Sequence, residues 1–224
     1  MIFVTGDTHG KVDMKKLNSS NFPEGKNLTK ADYVIICGDF GCIWNNDKED
    51  KYWQNWLEEK PWTTLFCDGN HENFNLLDNY PEEKRFGGQV HVISKSVFHL
   101  MRGYVFNINN KSFFVMGGAK SIDKVYRKED VSWWEREIPS KAEFENGLNN
   151  LDAVDWKVDY VISHTGPHSI VKMSNYYVEL DDVSRYLDII REDLTFKHWY
   201  FGHMHYDITI DKFTFLYNKV RKII

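Results

Sequence analysis

The chain has 224 residues, 42% of them hydrophobic and 27% charged, enough apolar material for one large core, which excludes a disordered chain and a small disulfide scaffold. Lys and Arg number 28 against 33 Asp and Glu, a formal charge of -5 that is the wrong sign for coating a polyanion, so long nucleic acid is disfavoured as a partner. Cys37, Cys42 and Cys67 form no C-x-x-C pair, no apolar run is long enough to span a membrane, and Met1 leads straight into Ile2-Phe3-Val4 without a signal-like leader; a cytoplasmic location with no membrane partner is the expectation.

In chain order, short apolar runs rich in β-formers predict buried strands at Ile2 to Thr5, Tyr33 to Cys37, Thr64 to Cys67, Tyr160 to Ser163 and His198 to Phe201. Helical spacing puts Tyr52, Trp53, Trp56 and Leu57 on one face before Pro61, and Val183, Tyr186, Leu187 and Ile190 on another. Strands alternating with helices imply an α/β domain with parallel pairing. Val97 to Met101, Tyr104 to Ile108 and Phe113 to Met116 follow one another closely, across Arg102-Gly103 and Asn109-Asn110-Lys111, and read as hairpins. Another hairpin, Ile208 to Ile210 and Phe213 to Tyr217, turns at Asp211-Lys212. The expected fold is two mixed β-sheets packed face to face as a sandwich, with helices outside. The chain reads as a single domain, 1–224. Lys120 to Asn150, with Lys120, Lys124, Arg127, Lys128, Trp133 and Trp134 before a capping box of Ser140 and Glu143, reads as a lid or insertion.

Each predicted parallel strand is followed by polar side chains able to bind metal: Gly6-Asp7-Thr8-His9-Gly10, Gly38-Asp39, Gly69-Asn70-His71-Glu72, Ser163-His164 and Gly202-His203-Met204-His205. Open α/β sheets gather their functional groups beyond the carboxyl ends of the strands, so these five loops are candidates to converge. Asp, His and Asn offer oxygen and nitrogen donors and no thiolate, a set for Mn, Fe, Zn or a similar divalent ion, and there are too many donors for one ion. Any one of these short motifs is weak. A lone Asp after a strand is usually a turn or cap residue, and a lone His a satisfied core or surface group. Five in order are a strong signal.

In this conjunction the sequence resembles the calcineurin-like metallophosphoesterase superfamily, whose pattern is D-x-H, GD, GNH with Glu or Asp, a later His, and GHxH; the resemblance runs from Ile2 to about His205. It implies a centre of two divalent metal ions, Mn2+ first, with Fe, Zn, Co or Ni as alternatives. Asp7, His9, Asp39 and His205 would hold one ion, and Asp39, Asn70, His164 and His203 the other, with Asp39 shared as a bridging and catalytic carboxylate. Two such ions about 3.5–4 Å apart clamp a phosphoryl oxygen and activate water, so hydroxide attacks phosphorus in line without a covalent enzyme intermediate. His71 resembles the family's histidine that protonates the leaving oxygen or binds phosphate. Gly38-Asp39-Phe40-Gly41-Cys42 lacks the arginine of the protein-phosphatase GDxVDRG motif, and His205 supplies a histidine which that branch usually lacks, so the chain looks closer to phosphodiesterases.

The expected activity is metal-dependent hydrolysis of a small phosphodiester, with a nucleotide or cyclic nucleotide in view; a phosphomonoesterase or protein phosphatase is the alternative, and a nuclease or non-catalytic scaffold ranks lower. Arg127, whose guanidinium forms a bidentate fork, is the candidate for orienting phosphate oxygens, and Trp133 for stacking on a base. His91, His99 and His198 match no motif and read as structural, His168 as a loop residue, and the cysteines as packing residues. Oligomeric state is not encoded in any of these patterns.

Overall fold

The parallel strands form, but they divide between two sheets in the computed structural model, which describes residues 1–174 and 179–224. In the first sheet β1 (Ile2–Thr5), β2 (Tyr33–Cys37) and β3 (Thr63–Cys67) run parallel in that order. Beyond β3 come β6 (Val97–Leu100), parallel, then β5 (Gly88–Ser94) and β4 (Glu82–Arg85), antiparallel. The opposite edge is β13 (Arg221–Lys222), antiparallel to β1. In the second sheet β7 (Tyr104–Ile108) pairs antiparallel with β8 (Lys111–Met116), and β9 (Tyr160–Ser163), β10 (His198–Phe201) and β12 (Phe213–Phe215) continue in parallel. The last strand is β11 (Ile208–Ile210), antiparallel to β12. The result is the expected pair of mixed sheets, of seven and six strands.

The sheets meet through Ile35, Cys37, Leu65 and Cys67 of the first and Phe113, Val115, Tyr160 and Ile162 of the second, all in one buried cluster. Val34 and Ile36 point the other way, into a cluster under α1 (Lys48–Glu58), so β2 is apolar on both faces. The outer face of the second sheet is covered by α3 (Lys141–Asp152) and α5 (Asp182–Asp193). Val183, Tyr186, Leu187 and Ile190 of α5 are all buried there, each large apolar side chain contributing roughly 1.5–3 kcal/mol. The Ser140/Glu143 capping box opens α3, and Asp47 caps α1 by accepting from the N–H groups of Glu49 and Asp50. On α1 the expected apolar face is narrower than its spacing suggested: Leu57 is buried, Trp53 and Trp56 are half-buried and Tyr52 is exposed. Two short α-helices, α2 (Phe74–Leu77) and α4 (His168–Met173), are the others among the described residues.

One expected hairpin is wrong. β6 and β7 lie in different sheets, so Arg102-Gly103 carries the chain across the sandwich. A two-residue link between apolar strands suits a hairpin and a sheet-to-sheet corner equally, and burial of Arg102 decided the matter. Its guanidinium donates to Asp68, just past β3, at 2.5 and 2.8 Å and to the carbonyl of Arg136 at 2.8 Å. The Asn109-Asn110 turn is a hairpin as expected, both residues having the positive φ that such a turn demands, and so is the expected β11–β12 pair. Strands β4, β5 and β13 went unforeseen: Glu82 to Arg85 and Arg221-Lys222 are charged, exposed edge residues without apolar alternation, and Gly88–Ser94 mixes Gly, Gln, His and Ser among its three apolar residues.

The segment 120–150 is heterogeneous. Ile122, Val125 and Tyr126 are 84–90% exposed, whereas Trp134 is buried edge-to-face against Trp44 and α3 lies on the second sheet. Among the described residues no helix is long and apolar enough to cross a membrane.

Candidate metal centre

The loops after β1, β2, β3, β9 and β10 converge at one rim of the sandwich. Thr8 and His9 donate their backbone N–H groups to the Asp39 carbonyl at 3.1 and 2.8 Å, and Gly10 donates to Phe40, which locks the first loop onto the second. Glu72, fully buried, accepts from the N–H of Phe40 at 2.7 Å and ties in the third loop. Burial and the neighbouring Asp39 charge push its carboxyl well up. Such close approach leaves no room for side chains: a Cβ on Gly38 would fall 2.1 Å from His164 Nδ1, and one on Gly69 would fall 2.0 Å from Asp39 Oδ1. His9, Asp39, His203 and His205 all sit at positive φ, between 41° and 65°. A left-handed backbone at a non-glycine residue costs on the order of 1–3 kcal/mol and persists where function needs the side chain aimed.

Asp7, His9, Asp39 and His205 offer ligand atoms that all lie within 4.8 Å of one another. Asp7 Oδ2 is 3.0 Å from His205 Nε2, and the carboxylate also accepts from the backbone N–H of His203. Asp39 faces two ways. Its Oδ2 is 3.2 Å from His9 Nε2, while its Oδ1 is 3.3 Å from His164 Nε2 and accepts from the His71 N–H at 2.8 Å. Asn70 Oδ1 is 2.9 Å from His164 Nε2, and His203 lies ring to ring with His164 at 4.9 Å.

The imidazoles are prepared from behind. His164 Nδ1 lies 2.9 Å from the Cys37 carbonyl, an acceptor only, so that nitrogen carries the proton and Nε2 presents its lone pair to the cluster. Asp13 does the same for His9, with Oδ2 at 2.8 Å from Nδ1. Asn70 donates its amide to Ser121 Oγ at 3.0 Å, which turns its oxygen inward. Tyr217, beyond the sequence motifs, stacks on His205 at 4.7 Å and reaches Asp13 with its hydroxyl at 3.3 Å. Lys16, buried, donates to the carbonyls of Asp7 and Tyr217. None of Asp13, Lys16, Ser121 or Tyr217 stands out in the sequence, although an Asp four residues after a motif His could have been noticed.

Electrostatically this is a buried negative site. Burial works against ionising Asp39, but His164, the His9 hydrogen bond and His71 hold its carboxyl well below the usual carboxylate range; Asp7 is lowered despite burial by His205 and His164. Burial likewise opposes a charge on His9, yet Asp39 and Asp7 raise it to about 9, so a cation bound there would displace the Nε2 proton, while burial and His164 push His203 down to about 4. Two buried carboxylates kept ionised side by side, ringed by imidazoles with their lone pairs turned inward, fit divalent cations.

His71 stands at the mouth, its ring 5.7 Å from that of His9. Arg127 donates to His71 Nε2 at 2.9 Å and is held by Asp123 at 2.7 Å, so the half-buried guanidinium reaches the site from the 120–139 stretch. Burial, resisted by Asp39 and reinforced by Arg127, lowers the His71 pKa. Trp133 has the Lys124 ammonium over one face of its ring at 4.4 Å. His91 and His99 lie apart, in a buried chain in which His99 Nε2 meets Asp68 at 3.1 Å and the two Nδ1 atoms meet at 2.9 Å. His198 bonds Thr214, and His168 opens α4.

Fold and donor chemistry together define a class, two-sheet sandwiches that gather a divalent-metal site at the rim of their strands. Within that class the chain belongs to the calcineurin-like phosphoesterase family, whose model matches residues 1–207. It is 27% identical over 197 residues to lariat debranching enzyme A of Xenopus laevis, covering 78% of this chain and 34% of that protein. To the lariat debranching enzyme of Danio rerio it is 25% identical over 198 residues, 78% of this chain and 32% of the relative. The chain therefore spans about a third of the length of the curated relatives it matches.

Proposed function

We propose that the protein hydrolyses phosphodiesters at a dinuclear centre in which Asp7, His9, Asp39 and His205 hold one divalent ion and Asp39, Asn70, His164 and His203 the other, manganese being the first candidate. The observation that carries the reading is the two-sided Asp39, with one oxygen toward His9 and the other toward His164. Bound there, two divalent ions supply Lewis acidity, neutralising phosphoryl charge and lowering the pKa of a water. The residues do the rest. Asp13 and the Cys37 carbonyl keep His9 and His164 in the tautomer that presents Nε2. Arg127 offers its fork to non-bridging phosphate oxygens, and a phosphate that engages it releases His71 Nε2. Released from Arg127, His71 Nε2 takes up a proton, and the imidazolium gives a hydrogen bond or a proton to the departing oxygen and is left as neutral imidazole.

A diester is preferred to a terminal phosphate for two reasons: no arginine follows Asp39, and both curated relatives carry the name lariat debranching enzyme. The test is metal analysis with steady-state kinetics of wild type and Asp39→Asn on bis-p-nitrophenyl phosphate and p-nitrophenyl phosphate. A neutral amide bridges two cations poorly, so the variant should lose both metal and turnover. Full metal loading with wild-type activity would end the bridging assignment, and faster turnover of the monoester by wild type would end the diester preference.

A further inference from the structure

Beside the metal cluster lies a cavity of about 260 Å³, whose lining includes His9 and His71 at its inner end and Lys11, Trp44, Asn45 and Trp53 elsewhere. We propose that it takes a nucleobase attached to the phosphoester under attack, with Trp53 and Trp44 as its aromatic walls. The inference rests on the phosphoesterase reading of the cluster and names the class of group its substrate carries.

Four observations carry it. His9 belongs to both the cluster and the cavity, and His71 at the mouth of the cluster lines the cavity too, so an ester held at the cluster borders this space. Both indoles are fixed from the side: Trp44 meets Trp134 edge-to-face at 5.4 Å and Trp53 meets Trp56 at 5.5 Å, so little conformational freedom remains to be lost on binding. The acidic lining is already engaged and does not repel a nucleotide as free charge would. Asp50 accepts from the backbone N–H groups of Trp44, Asn45 and Asn46, Asp47 caps α1, and Glu49 pairs with Lys11 at 3.0 Å. Lys11, while still paired with Glu49, has further N–H donors, and with Asn45 it supplies polar groups for the edge of a heterocycle that a plain phenyl ring would leave unused. Trp133 does not line this cavity and has Lys124 over one face of its ring, so Trp44 and Trp53 are the stacking surfaces within it.

The experiment is isothermal titration calorimetry of the metal-loaded protein with adenosine 5′-monophosphate, adenosine 3′-monophosphate, phenyl phosphate and methyl phosphate. At least one adenosine nucleotide should bind about 5- to 150-fold more tightly than methyl phosphate, the factor expected for one stacked base. Trp53→Ala should remove most of that advantage, and Trp53→Phe, which keeps a ring on the helix, should fall between. Equal affinity of both nucleotides and methyl phosphate overturns the proposal in the wild-type protein alone, whatever the variants do. Phenyl phosphate binding as tightly as the better nucleotide would overturn the nucleobase assignment. Hydrolysis is read separately on bis-p-nitrophenyl phosphate: nucleotide preference without diester turnover supports the cavity and sinks the diesterase reading, and turnover without nucleotide preference does the reverse.

Discussion

At the scale of single residues, the candidate centre is organised by pairs in which one atom faces the cluster and its neighbour is tied behind. Asp13 illustrates it, because its carboxylate fixes the His9 tautomer while Tyr217 bonds its other oxygen. Asp13→Asn keeps the shape but weakens that hold, and removing such a partner typically costs about 10- to 100-fold in metal affinity. Metal titration should therefore find one of the ions bound more weakly and the other nearly unaffected; equal loss at both would show that Asp13 supports the loop as a whole. His71→Ala is expected to retain its metals and lose kcat, most for esters with poor alkoxide leaving groups, since a nitrophenolate needs little protonation. Equal losses across leaving groups of widely different pKa would make His71 a phosphate-orienting residue.

At the scale of elements, the crossover between the sheets depends on a buried ion pair. Arg102 joins Asp68, past β3, to the Arg136 carbonyl and, at 3.4 Å, to Glu143 at the start of α3, so one side chain connects the first sheet, the 120–139 stretch and the helix over the second sheet. Burial resists ionisation of Asp68, but Arg102 and the His99 hydrogen bond hold it ionised far below the usual range. Arg102→Met strands that carboxylate, and breaking a buried pair on one side costs roughly 3–5 kcal/mol. Denaturant unfolding of the metal-free protein should show that loss. Asp68→Asn combined with Arg102→Met should recover part of it, and a double variant as unstable as the single would argue that packing of the guanidinium stem is what matters.

At the scale of the whole molecule, stability depends on acidity through groups remote from the metals. His91 lies buried beside His99, and burial together with that neighbour lowers its pKa to about 4, from an ordinary value of 6.5. The unfolded chain takes up this proton below pH 6.5 and the folded protein only near 4, so in that window the unfolded state binds more protons and stability rises with pH. The melting temperature is expected to fall as pH drops from 7 toward 4, and His91→Gln should flatten that slope. A slope unchanged in the variant would assign the acid sensitivity to the carboxylates instead.

The sequence alone determined the parts of this protein that are local or periodic. Apolar runs such as Tyr33 to Cys37 are legible because a strand covered on both faces has no polar positions, and the motif residues are legible because each follows such a strand within a few positions. The capping box at Ser140 and Glu143 was visible for the same reason, since its hydrogen bonds span three residues. Tertiary structure decided what depends on partners distant in sequence. The Arg102-Gly103 link became a corner because Asp68, 34 residues earlier, pairs with the guanidinium. Trp133 and Trp134 looked alike in sequence, yet Trp134 packs on Trp44 and Trp133 lies under Lys124. Tyr217, which stacks on His205 nearby in sequence, also bonds Asp13 across 204 residues of chain. No spacing rule encodes such a contact, because it exists only once two sheets have folded against each other and brought their strand ends to one rim.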